Sequence, residues 1–194
     1  MTDAWRLFVA AAVPAATREA LWSWTREWAG RDAGWRPVRP ENIHLTLRFL
    51  GDTPSSVAGH LGETLAGAVP PEAPVALRVR GVGVFPGAHR PRVLWAGLEG
   101  ELDRLVALAQ RIEEWAVAQG FRRNARPFRA HMTVARAGRG RAEVPEAARA
   151  GTALSPDFGP LIVDRISLYR SHLGSGPPRH EALATIPLAE AAST

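Results

Sequence analysis

The sequence predicts an α+β fold of two lobes, each a mainly antiparallel sheet with its helices on the outside, facing one another across a cleft on a pseudo-two-fold axis. Three observations lead there. Signals for strand, helix, strand, helix, strand occur twice along the 194 residues, giving approximate halves 1–90 and 91–194. The central strand of each half carries the same lettering, HLTLRFLG from His44 to Gly51 and HMTVARAG from His131 to Gly138. A hydrophobic content of 46% over this length is enough for one core, or for two small lobes that share an interface as a single domain.

In chain order, Arg6–Ala12 reads as a strand and Ala15–Ala29 as a helix with Leu21, Trp24 and Trp28 on one face. Ile43–Leu50 is the first motif strand. A helix over Ser55–Ala68 follows, with Ser55 as its cap, and the proline-rich VPPEAP ends it before a strand over Val75–Val84. The second half repeats the plan. Arg92–Leu98 is strand-like, Glu101–Gln119 is the clearest amphipathic helix, and Ala130–Ala135 is the second motif strand. A weaker helix is expected over Val144–Ala150, then strands near Leu161–Arg170 and Glu181–Pro187.

The motif strands carry the chemistry. In an extended strand, residues two apart share a face, so each motif presents one imidazole and one hydroxyl together: His44 with Thr46, His131 with Thr133. With six His and about ten Thr, chance supplies roughly 0.3 His-x-Thr triplets, so two in matching apolar frames are an excess. A cleft holding both faces would have two histidines and two hydroxyls, a set suited to moving protons around a phosphate. Arg48 falls on the His44 face, where it would bind phosphate or pair with a carboxylate. His60, His89, His172 and His180 lack such context and are expected at the surface or behind the site, with His172 at the cleft border. The seven tryptophans are expected in the core.

Composition narrows the chemistry further. There is no cysteine, which removes thiol nucleophiles, Cys-ligated zinc and disulfides. All 24 basic residues are arginine, which removes a lysyl-nucleotide intermediate, a lysine Schiff base and a P-loop lysine. No pattern such as HExxH suggests a metal site, and no cofactor is expected. The net charge of +5 is unevenly placed: Trp115–Ala142 holds Arg122, Arg123, Arg126, Arg129, Arg136, Arg139 and Arg141 with no acid. That segment is either a solvated basic loop or an anion or RNA-backbone site. The apolar run Leu7–Val13 reads as a first strand, not a leader, and no run reaches membrane-spanning length, so the expected location is cytoplasmic.

These motifs and their flanks resemble the two-histidine phosphoesterase superfamily, and within it the bacterial and archaeal RNA 2′,3′-cyclic phosphodiesterases, also called 2′-5′ RNA ligases. The resemblance runs through RLFVAAAVP, RPENIHLTLRFLG, VFPGAHRPRVLWAGLEG, RPFRAHMTVAR and SLYRSHLGSGPPRHEAL. It implies metal-free hydrolysis of an RNA 2′,3′-cyclic phosphate to a 2′-phosphate, with 2′-5′ joining as the reverse reaction. His44 would be the proton donor, His131 the proton acceptor, and Thr46 and Thr133 the hydrogen-bond donors to phosphate. Arg136 and Phe49, each five residues after a motif histidine, would also touch substrate, and Tyr169 and Arg170 would line the site. The implied partner is RNA with a cyclic phosphate end, tRNA fragments among them, acted on by a monomer. Strict alternation, however, puts Arg136 and Phe49 opposite their histidines, so the strands must bulge or end, or these residues act from a turn. Two rival readings share these residues: a phosphodiesterase of a small cyclic nucleotide or ADP-ribose derivative, and a non-catalytic RNA- or nucleotide-binding module.

Overall fold

Strand β1 (Ala4–Ala12) shows how the layers form, with Leu7, Val9 and Ala11 fully buried on one face and Arg6 and Phe8 turned to the other, where they line a cleft. The computed structural model describes residues 3–29, 34–138, 142–149, 155–174 and 176–188. After β1 come α1 (Ala15–Ala29), β2 (Trp35–Pro37), β3 (His44–Pro54), α2 (Ala58–Ala68), β4 (Val75–Phe85) and β5 (Val93–Gly100). Then follow α3 (Leu102–Ala118), β6 (Met132–Ala137), β7 (Asp157–Val163), β8 (Arg165–His172) and β9 (Arg179–Pro187). Two antiparallel sheets result, one ordered β3-β1-β8-β9 and the other β2-β6-β5-β4-β7. The α+β architecture with mainly antiparallel sheets is thus the one expected.

The helices dock in an exchanged way. Helix α1 follows β1 of the first sheet and leads to β2 of the second, and it packs on β2, β6 and β7 of that second sheet. Its Thr17 hydroxyl donates to the Pro160 carbonyl at 3.1 Å, and the Trp24 ring meets Phe158 edge-on at 5.7 Å. Helix α3 joins β5 and β6 of the second sheet and packs on β3 and α2 beside the first; its Trp115 indole N–H donates to Thr64 at 3.1 Å. All seven tryptophans are buried or half-buried, and none lines the cleft.

Several expectations change. The sheets do not follow the halves 1–90 and 91–194, since the first takes β1 and β3 from one half and β8 and β9 from the other. The strand expected over Leu161–Arg170 is two strands, parted at Asp164 and belonging to different sheets. Buried residues on both sides of the break, Leu161 and Val163 before it and Ile166 and Leu168 after it, make the apolar pattern read as continuous. The weak helix over Val144–Ala150 is a 3-10 turn at Glu146–Ala148, preceded by Pro145, and Ala150 lies outside the described residues. Ser55 opens a 3-10 turn ahead of α2, whose N-terminal cap position is Val57, and no side-chain cap forms there. Strand β2 was not expected: three residues including Pro37 are too short for periodicity to register.

Candidate active site

The two motif strands share one irregularity, and it resolves the position of Phe49 and Arg136. Along β3, Thr46 pairs with Ala10 and Arg48 with Val9, so Leu47 is an extra residue in the ladder. Along β6, Thr133 pairs with Trp95 and Ala135 with Leu94, so Val134 is the extra one. Each β-bulge lets two successive side chains turn to the core, Leu47 with Arg48 and Val134 with Ala135. The residue five after the histidine therefore returns to the histidine's face. Phe49 and Arg136 both line the cleft, with Phe49 57% exposed.

That cleft, of about 1090 Å³, is also lined by His44, Thr46, His131 and Thr133. Each motif histidine is oriented by the same device. His44 Nδ1–H donates to the Asn42 carbonyl at 2.8 Å, and His131 Nδ1–H donates to the Arg129 carbonyl at 2.7 Å. A carbonyl only accepts, so Nδ1 keeps its hydrogen and Nε2 is left as the nitrogen that gains and loses a proton. His44 packs against Phe8, with ring centroids 4.8 Å apart, and against His180, edge-on at 5.2 Å. This burial lowers its pKa from 6.5 to about 4; the Asn42 carbonyl opposes the shift, and the charges of His180 and Arg136 add to it. His131 is braced by Phe85, edge-on at 5.2 Å, and Phe85 rests on Trp95.

A family model for LigT-like phosphoesterases matches two successive segments, residues 12–95 and 97–179, each containing one His-x-Thr motif. The chain belongs to the LigT-like phosphoesterase family. An RNA 2′,3′-cyclic phosphodiesterase of Archaeoglobus fulgidus is 36% identical over 92% of this chain and 97% of its own. A protein of the same name from Geobacillus stearothermophilus is 36% identical over 78% of this chain but only 47% of its own, so this chain spans about half of that relative. Among solved structures, Escherichia coli LigT complexed with 3′-AMP superposes with a TM-score of 0.77 at 29% identity, covering 97% of this chain and all of that one.

This LigT-like phosphoesterase departs from the sequence expectation at Arg48. Its side chain is buried on the core side of β3, where Nε lies 2.7 Å from Glu113 of α3 and the guanidinium donates to Asn124 Oδ1 and the Arg122 carbonyl, both at 2.6 Å. Alternation put it beside His44; the bulge at Leu47 turns it away, and of the two expected roles the carboxylate pairing is the one realised. Arg123 is likewise paired, with both nitrogens 2.8 Å from Glu114, and Arg139 and Arg141 lie outside the described residues. Among the described residues of the basic segment only Arg136 lines the cleft, where it is joined by Arg6, Arg36 and Arg39, and the described lining holds no carboxylate.

Residues that sequence reasoning did not single out complete the site. His180 on β9 lines the cleft beside His44, and burial lowers its pKa. Only the strand order β1-β8-β9 brings it there, and no local signal encodes that order. His172 instead bonds Glu181 at 2.7 Å and does not line the cleft, and His60 and His89 are exposed. Tyr169 stacks on the side of Phe8 at 5.3 Å, while Arg170 lies over Trp5 at 3.8 Å; neither lines the cleft. Among the described residues no group of three or more His, Cys, Asp or Glu is arranged to hold a metal ion, and no helix is long and apolar enough to cross a membrane.

Proposed function

We propose that this LigT-like phosphoesterase hydrolyses the 2′,3′-cyclic phosphate end of RNA to a 2′-phosphate, using His44 and His131 for proton transfer and no metal. The observation that carries the reading is the pair of bulged strands, each presenting a carbonyl-anchored imidazole, a threonine hydroxyl and a fifth-position side chain to one cleft. Water bonds to phosphorus as its proton passes to His131 Nε2. The bond from phosphorus to the ribose 3′ oxygen breaks, and that oxygen takes the proton carried by His44 Nε2. Thr46 and Thr133 donate to the non-bridging oxygens, Arg136 offsets their charge, and Phe49 offers a face to the nucleoside.

At about 4, His44 is neutral near pH 7 unless an anion stands beside it. The cyclic phosphate supplies that anion, so binding of substrate recruits the proton that the leaving oxygen receives. The reading extends to RNA fragments, tRNA among them, as substrates for a monomer in the cytoplasm. It is tested with an oligonucleotide ending in 2′,3′-cyclic phosphate, incubated with excess chelator and no ATP, followed by identification of the end group. A 2′-phosphate product is expected. Turnover abolished by the chelator and restored by a divalent ion would overturn the two-histidine chemistry.

A further inference from the structure

We infer that Arg36, on the short edge strand β2, holds the backbone phosphate one nucleotide before the reacting end, so that the cleft grips RNA at two phosphates. The inference rests on the proposed activity and starts from a like-charged row. Arg36 of β2 pairs with Arg136 of β6, and Arg136 pairs in turn with Val93 of β5; all three line the cleft. Two cations facing each other across an antiparallel pair repel. Neither has an ion-pair partner among the described residues, unlike Arg78, Arg104, Arg111 and Arg123, each held by a carboxylate. A row of this kind is stabilised by an anion placed between its members, and a phosphate with several acceptor oxygens matches the arginine fork.

Position selects which phosphate. From His131, just before β6, the cleft face runs His131, Thr133, Arg136, and with Val134 bulged out successive members are about two strand positions, or ~6.6 Å, apart. Arg136 acts on His44 and so stands at the reacting centre, and Arg36 lies one strand further out, ~5 Å across the ladder. The guanidinium of Arg36 thus meets the chain about one nucleotide from the reacting phosphorus, where a dinucleotide has its internal phosphodiester and a cyclic mononucleotide has only a 5′ hydroxyl. Arg36 is exposed and makes no side-chain hydrogen bond within the described residues, so folding does not depend on it.

The test compares uridine 2′,3′-cyclic phosphate with uridylyl-uridine 2′,3′-cyclic phosphate. The wild-type protein should prefer the dinucleotide, and R36Q should reduce that preference in kcat/KM by about tenfold. R36K, which keeps the charge and loses the fork, should fall between. The slope of log KM against log salt for the dinucleotide should flatten by about 0.7 in R36Q, the share of one phosphate contact on a single strand. Binding is measured separately, by thermal shift with the dinucleotide and mononucleotide 2′-phosphates, and should lose the same preference. Equal losses on both substrates, an undiminished preference, or a ligand-free R36Q that melts below wild type at low salt would each overturn the subsite. Wild-type protein that turns over neither substrate, yet binds the dinucleotide 2′-phosphate more tightly through Arg36, would instead sink the hydrolytic reading and leave the subsite standing.

Discussion

Each motif histidine is tied through Nδ1 to the carbonyl two residues before it, a partner that adds no charge. The two imidazoles therefore differ through their walls, not their anchors. His44 sits among Phe8 and His180, and burial holds its pKa at about 4. Two predictions follow at this scale. His44→Ala and His131→Ala should each lower kcat by at least about 10²-fold with the fold intact, and the double variant should be much less than multiplicatively worse. A substrate with sulfur in place of the leaving 3′ oxygen, which departs without a proton, should restore His44→Ala and leave His131→Ala impaired; the opposite pattern would exchange the roles. The second prediction concerns pH. kcat/KM reports the free protein, in which the donor His44 must carry its proton, so the alkaline limb should begin near pH 4, and His180→Phe should move that limb upward by removing a neighbouring charge. The sign for stability is opposite to that of a paired histidine. The unfolded chain takes up the His44 proton near 6.5 and the folded one at about 4, so stability falls as pH drops through that window. His44→Asn should flatten this part of the melting profile.

Strand elements decide what alternation can and cannot reveal. The His-x-Thr pairs were legible because two residues on a strand share a face, a rule that holds up to the bulges. Beyond them it reverses, which is why Arg48 was placed on the wrong side, and why Phe49 and Arg136 reached the cleft only through their likeness to the family. The break at Asp164 and the arrival of His180 beside His44 were not legible, because each depends on which strands neighbour one another. Strand β4 gives the element-scale prediction. Gly83 faces Trp95 across the ladder, and a Cβ there would lie 2.6 Å from the indole Cη2. Trp95 supports Phe85, which braces His131. Gly83→Ala should therefore cost about 1–3 kcal/mol by overpacking, read from denaturant melts, and should lower kcat more than it raises KM. A variant as stable and active as wild type would show that Trp95 moves aside freely.

At the scale of the whole molecule, the chain reads as two repeats, yet its sheets are built from both. β1 and β3 of the first repeat form one sheet with β8 and β9 of the second, while α1 and β4 of the first serve the other sheet. Residues 1–90 or 91–194 alone should therefore fail to fold, by circular dichroism and amide exchange, whereas the two fragments mixed or co-expressed should recover structure together. Independent folding of either fragment would contradict the exchanged docking.

The exchange of helices also bears on ancestry. Each repeat lends its motif strand to one lobe and sends its helix across to cover the other: α1 goes to β2, β6 and β7, and α3 to β3. A forebear of half this length would have left that helix without a surface to bury itself on and its motif strand without cover. Two such halves cover one another when paired with their helices exchanged, one histidine from each. Joining two copies end to end makes such a pair one chain, in which the fifth position after each histidine is free to differ, as it does in Phe49 and Arg136.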